Sequence, residues 1–252
     1  RHGGIQRPNA AAALLVGRTA AAGGLRVNWT SGAAAWMEAG LQLLFPPQCP
    51  ACGVEVGRRD AWCSRCLNEL WDPRELAVNV KGMRHVKTCR VLTGYGGAVR
   101  TLLHGLKFER RRGNAAPLAW LVAMADTAEL AGLPLADGVM IPVPLAATRL
   151  AERGFNQVDL IFAAWCRRQK LEWQDGVLLR RRDTLPQWEL DRQQRRENMN
   201  GAFICNAPEK IRHRHILLVD DIVTTGTTLE QCASVLCQAG AASVSAFCLA
   251  HG

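Results

Sequence analysis

Two groups of residues in this chain have types and spacings that can do chemistry. The first is a set of four cysteines, Cys49, Cys52, Cys63 and Cys66, arranged as two C-x2-C pairs with ten residues between them. Zinc takes four thiolates in a tetrahedron, and each C-x2-C turn presents two sulfurs to one point. Four protein ligands leave no open position, so a metal held this way would be structural rather than catalytic. Two redox pairs, two disulfides and, less naturally, an iron–sulfur cluster are the other readings of the same spacing. Zinc is the expected one, because two such pairs this close leave little else for the segment to fold around. Trp62 and Leu67 are expected to cover the site.

The second group lies in HILLVDDIVTTGTTLEQC, residues 215–232. An apolar strand ends in two acids, Asp220 and Asp221. Thr224, Thr225, Gly226, Thr227 and Thr228 follow, and then a helix begins. A loop between a parallel strand and a helix N-terminus presents unsatisfied backbone N–H groups at the positive end of the dipole. Gly226 lets the backbone approach closely, and the threonines add hydroxyls. Such a loop suits a phosphate monoester. Two carboxylates on the same lip suit sugar hydroxyls, or a Mg2+ shared with a diphosphate. A plain N-capped helix would account for one threonine, but not for four with a glycine and two acids.

These groups need elements to position them. Residues 89–95 read as a strand, and residues 98–108 and 115–130 as helices with apolar residues at helical spacing. Residues 139–143 read as a strand, 155–168 as a helix and 176–179 as a strand. Residues 215–219 (HILLV) read as a buried strand, 227–239 as a helix with Gly240 as its C-cap, and 243–249 as the last strand. Strands alternating with helices predict an α/β fold with a largely parallel sheet. Between the strand at 139 and the helix at 155, Arg149 and Arg153 stand four apart and would share one face of a helical turn. Two guanidinium groups beside a phosphate loop suit a diphosphate, although a pair of solvated arginines is the plainer reading. Asn156 and Gln157 are candidates to bind ligand or to cap the next helix, and Lys107 is a further binding candidate. Residues 180–202 are polar and basic and read as a long loop carrying Arg192, Arg195 and Arg196.

The chain has 252 residues, a net charge of +9, 48% hydrophobic and 21% charged residues, and ten cysteines. This composition excludes a wholly disordered, collagen-like or coiled-coil protein. No apolar run reaches the roughly 18 residues of a membrane span. The six cysteines outside the two pairs are expected to be free thiols, which favours a reducing cytosol over a secreted scaffold. Residue 1 is Arg, and residues 1–36 hold four Arg, no acid and 16 Ala or Gly. They read as a low-complexity extension, with a transit peptide as the other reading. The expected organisation is an extension over 1–36, a cysteine module over 37–85 and an α/β domain over 86–252.

The strand, acidic pair and TTGTT loop resemble the ribose-5-phosphate-binding signature of type I phosphoribosyltransferases. IPVPLAATRLAERGFNQ (141–157), YGGAVRTLLHGLKFERR (95–111) and RRDTLPQWELDRQQRRENMNGAF (181–203) resemble blocks of the ComF/GntX competence-protein family. That family joins a cysteine finger to a phosphoribosyltransferase-like domain, and the resemblance covers residues 41–252. It implies a mostly parallel twisted sheet flanked by helices, with a small zinc-ribbon-like module before it. It implies that Asp220 and Asp221 meet the ribose hydroxyls of phosphoribosyl diphosphate and that residues 224–228 take its 5′-phosphate. It further implies that Arg149 and a flap with Arg195 and Arg196 hold the Mg2+-bound diphosphate. One departure is visible: members often carry His-Pro-Lys where this chain has Ala146, Ala147 and Thr148, which leaves backbone N–H groups and Arg149 for that contact. The expectation is a candidate phosphoribosyltransferase linked to DNA uptake or the use of imported DNA. The alternative is a non-catalytic module that binds single-stranded DNA or nucleotides and works with DNA-uptake proteins, for which the basic runs at 110–112 and 180–182 are candidates.

Overall fold

The computed structural model describes residues 45–125, 130–134, 138–181 and 201–252. Arg192, Arg195 and Arg196, and the extension over 1–36, lie outside the described residues. The chain divides into two compact units, Arg1–Leu70 and Trp71–Gly252. Residues 71–85, grouped by sequence with the cysteine module, therefore run with the sheet.

In the first unit a hairpin turn leads to a short helix, α1 (Ser64–Leu70). In the second, the strands are β1 (Trp71–Glu75), β2 (Val86–Gly94), β3 (Gly138–Pro142), β4 (Glu172–Trp173), β5 (Leu178–Arg180), β6 (Phe203–Cys205), β7 (His215–Val223) and β8 (Ser243–His251). The helices are α2 (Gly97–Phe108), α3 (Ala115–Met124), α4 (Ala147–Arg153), α5 (Gln157–Arg168) and α6 (Thr227–Gln238). Six strands form one sheet in the order β1-β2-β8-β7-β3-β4, and β5 pairs with β6 in a separate two-stranded ribbon. Every pairing in the large sheet is parallel except β1 with β2.

The central strands β7 and β8 are apolar almost throughout because helices cover both faces. Phe247 of β8 meets Phe162 and Trp165 of α5, with ring centroids 5.4 and 5.3 Å apart. On the other face, Leu229, Cys232, Ala233 and Leu236 of α6 pack with Ile216, Leu218, Val244, Ala246 and Cys248.

Several expected elements shift. The helix predicted over 115–130 ends at Met124. The arginine pair has its own short helix, α4, which Gly154 ends in the left-handed conformation with φ +77°. Asn156 then caps α5, its side chain accepting from Val158 N at 3.1 Å. The cap role is the one the fold shows for Asn156, whose Nδ2 also donates to Val143 O at 3.1 Å. Strand β1 contains Pro73, which is tolerated there because β1 is the edge of the sheet.

The order of the strands fixes where a ligand can sit. From β7 the chain crosses through α6 to β8 on one side, while from β3 it crosses through α4 and α5 to β4 on the other. The connections diverge at the carboxyl ends of β3 and β7, and crevices at such switch points are where open α/β sheets bind ligands. The loops that leave these two strands carry the arginine pair and the threonine loop.

Candidate functional site

The threonine loop is the tight link from β7 to α6. Gly226 takes φ +79°, and a Cβ there would stand 2.8 Å from Met83 Sδ and 2.9 Å from its Cγ. Glycine is therefore required twice, by the backbone conformation and by the packing beneath it. The first turn of α6 leaves N–H groups that no carbonyl of its own can reach. Thr227 N has only a long, 3.4 Å contact to Thr225 Oγ1, and the Thr225 and Thr227 hydroxyls lie 2.9 Å apart. Asp220 and residues 222–229 line one open depression, which holds all five predicted loop residues.

The two acids do not share a lip. Strand β7 continues through both, with Asp220 opposite Cys248 and Val223 opposite His251, so successive side chains leave opposite faces. Asp220 faces the depression. Burial pushes its carboxyl well above the usual range, and the neighbouring Asp221 adds to the shift while Lys107 opposes it. Asp221, only 3% exposed, points to the other face, where Lys107 Nζ of α2 pairs with its Oδ2 at 2.8 Å. Lys107 is thus brought into the site, as an ion-pair partner of the second acid.

The arginine pair converges on the same acid. Burial holds the Arg153 guanidinium below its ordinary value, Asp221 works in the opposite direction, and Arg149 adds repulsion. Gln157 accepts a hydrogen bond from Arg153 and orients it. Arg149 is exposed beside it. Lys107, Asp221, Arg153 and Arg149 therefore form one charged cluster at the carboxyl edge. Arg180, from the second basic run, lies over the Phe203 ring at 5.5 Å and so is partly engaged in packing.

Sequence reasoning missed the segment between β1 and β2. Lys81 Nζ donates to the Thr224 carbonyl, Met83 lies under Gly226, and His85 donates its backbone N–H to Glu230 Oε2 at 3.0 Å, with its Nδ1 2.7 Å from Oε1. These contacts span about 143 residues of chain, so no local pattern could reveal them.

In the first unit, Cys49 N donates to Val54 O at 2.8 Å and Gly53 N to Cys49 O at 2.9 Å, which closes the first C-x2-C as a hairpin turn. The second pair straddles the start of α1, where Cys66 N donates to Cys63 Sγ at 3.5 Å. The four sulfurs lie within 4.8 Å of one another, and Cys52 and Cys63 Sγ are 3.7 Å apart. Tetrahedral zinc with Zn–S bonds of about 2.3 Å requires sulfurs about 3.8 Å apart, so the set fits. Burial opposes the Cys49 thiolate, but hydrogen bonds from Cys63, Ala51 and Cys52 outweigh it and draw the thiol down to about 6. Burial and the other three sulfurs push Cys66 up to about 12. Thiols this close cannot all ionise against one another, and a dication supplies the compensation. Trp62 and Leu67 are buried, as expected of a cover. All ten cysteines are free of disulfides.

Comparison with known proteins gives a consistent result. Residues 40–77 match the double zinc ribbon domain, and residues 176–252 match the phosphoribosyl transferase domain. The chain is 35% identical over 205 residues to DNA utilization protein YhgH of Salmonella typhi, covering 80% of this chain and 82% of that one. It is 27% identical over 210 residues to Competence protein F of Haemophilus influenzae, covering 81% and 85%. The chain belongs to the ComF family. Its fold is the expected one: a mostly parallel sheet flanked by helices, with a four-cysteine zinc module before it. In this ComF-family chain the four-cysteine set supports a structural zinc, since four thiolate ligands would leave no open position. Among the described residues no helix is long and apolar enough to cross a membrane.

Proposed function

We propose that this ComF-family protein binds phosphoribosyl diphosphate with Mg2+ at the switch point between β3 and β7, and that it serves DNA uptake or the use of imported DNA in the cytoplasm. The observation that carries the reading is that two anion-binding features meet at the carboxyl end of β7, one at each of two adjacent acids. One is the residue 224–228 loop at the α6 N-terminus. The other is the Arg149–Arg153–Lys107 group around Asp221. The loop suits the 5′-phosphate, and Asp220 on its rim suits the ribose hydroxyls. Arg149 and Arg153 suit the diphosphate, with Arg195 and Arg196 as further contributors from the long loop. Mg2+ keeps several waters and takes one or two carboxylates plus substrate phosphates, which the half-buried Asp220 and a bound diphosphate would supply. If an acceptor attacks the ribose, charge develops on the sugar and on the leaving diphosphate, and fixed carboxylate and guanidinium groups stabilise both. The names of the relatives support the link to DNA.

The test is a titration of the full chain with phosphoribosyl diphosphate and Mg2+, followed by a diphosphate-release assay with a panel of bases. Saturable binding that weakens about tenfold or more in Asp220→Asn and Asp221→Asn is the expected result. Absent binding, or binding unchanged in both variants, refutes the reading. Release of diphosphate with one base would establish transfer and name the acceptor.

A second reading, a surface for single-stranded DNA, has one observation in its favour. Phe108 is 70% exposed, its ring lies 4.8 Å from that of His104, and exposed Arg110, Arg111 and Arg112 follow it. Aromatic rings beside guanidinium groups stack bases and track phosphates. DNA affinity that falls steeply with salt and drops in Phe108→Ala would support it.

A further inference from the structure

The residue 224–228 loop has a cationic neighbour that the phosphate-loop sequence does not contain. Lys81 stands in the segment between β1 and β2, and its ammonium donates to the carbonyl of Thr224, the first residue of the loop. That segment is fastened to the loop at two other points. Met83, 2% exposed, fills the space under Gly226, and His85 holds the Glu230 carboxylate in the first turn of α6 through both its backbone and its ring. The same edge carries two more basic side chains. His251, opposite Val223 in the sheet, accepts from Arg74, while Gly252 N donates to Val223 O at 3.0 Å. Burial and the charges of Arg74 and Lys81 keep the His251 ring below its ordinary value. Arg74 is paired with Asp72 at 3.2 Å. Among the described residues, Lys81 has only a neutral carbonyl as its hydrogen-bond acceptor.

A phosphate monoester carries close to two negative charges at neutral pH, whereas a helix N-terminus offers about half a positive charge. A loop of neutral threonines therefore gains from a full cation at its mouth. Lysine is a compact charge on a flexible four-carbon stem, and this one is already hydrogen-bonded to the loop backbone.

We propose that Lys81 is a ligand of the phosphate monoester bound by residues 224–228, and that the segment from β1 to β2 is the cationic wall of that pocket. The inference rests on the reading of the loop given above and adds a residue to it. It also predicts selectivity within the site, because Lys81 stands on the loop and not on the arginine cluster.

The experiment uses the full zinc-loaded chain and two probes, ribose 5-phosphate and Mg2+-pyrophosphate, titrated into wild type, Lys81→Met and Lys81→Arg. Lys81→Met should weaken ribose 5-phosphate about tenfold or more while pyrophosphate stays within about twofold, and Lys81→Arg should recover most of the loss. Unchanged ribose 5-phosphate affinity in Lys81→Met overturns the assignment. Equal loss of both probes also overturns it, since that outcome marks a structural role. If wild type binds neither probe, the reading of the loop fails and the assignment with it. If wild type binds both probes and the Lys81 variants bind them as wild type does, the loop reading stands and the Lys81 assignment alone fails. Thermal melts of each variant confirm that the binding data refer to folded protein.

Discussion

Gly226→Ala tests how the threonine loop is built. The backbone at this residue has φ +79°, a conformation that costs an alanine roughly 1–2 kcal/mol. The added Cβ would stand 2.8 and 2.9 Å from Met83 Sδ and Cγ, well inside the roughly 3.5–4.0 Å of an ordinary contact. Met83 is almost fully buried, so it must move or the loop must, and overpacking of this kind costs about 1–3 kcal/mol. Gly226→Ala should therefore destabilise by about 2–5 kcal/mol. Only the steric part depends on Met83. Met83→Ala, costly alone through the cavity it leaves, should remove that part, so the double variant should be more stable than the sum of the two by about 1–2 kcal/mol. Urea unfolding of the four proteins measures the cycle. If Gly226→Ala falls within about 0.5 kcal/mol of wild type, or if the cycle shows no coupling, the loop is not built on Met83 and the reasoning fails.

Other variants probe the remaining parts. Cys49→Ser should lose zinc and order around residues 45–70, because metal binding and folding are coupled in such modules; retention of one zinc per chain would show the ligand set to be wrong. Asp221→Asn should destabilise by about 1–3 kcal/mol, because it strands Lys107, which is only 22% exposed. By contrast, Asp220→Asn should leave stability unchanged or raised, since burial already disfavours that charge; a melt of each variant separates the two. Asp159 is lifted to about 6 by burial and by Asp175, and among the described residues its Oδ1 is buried without a hydrogen-bond partner. The native state then binds more protons than the unfolded one, so stability should fall as pH rises from about 4 to about 6. Asp159→Asn should flatten that slope and gain on the order of 1 kcal/mol at pH 7, allowing for solvent screening.

The parts of the site confined to one stretch of chain were legible. The threonine loop, Gly226, the four cysteines and the spacing of Arg149 and Arg153 each lie within a short segment, where turn chemistry and helical period act locally. Strand β1 was not legible, because its Pro73 suits only the edge of a sheet and the edge is set by long-range pairing. The sequence misled at the acids. Two charges read as the end of a strand, yet β7 continues to Val223 because Lys107, supplied from α2, compensates Asp221 within the sheet. Lys81, Met83 and His85 left no trace, since their partners are far away in sequence and nothing local requires them.

That continuation of β7 divides the work of the two acids. Alternation along a strand allows only one of two neighbours to face the loop, and here it is Asp220. Asp221 is turned inward, where a bare carboxylate would be costly, and it is held by Lys107 with Arg153 close by. A sugar approaching the crevice can meet Asp220 without breaking any ion pair. It can engage Asp221 only by displacing Lys107, or by leaving that pair intact and using the cations around it. The second course keeps every buried charge compensated. On the proposed reading, Asp221 is the anchor that holds Lys107 and Arg153 at the carboxyl edge, and Asp220 is the carboxylate that would meet the ligand.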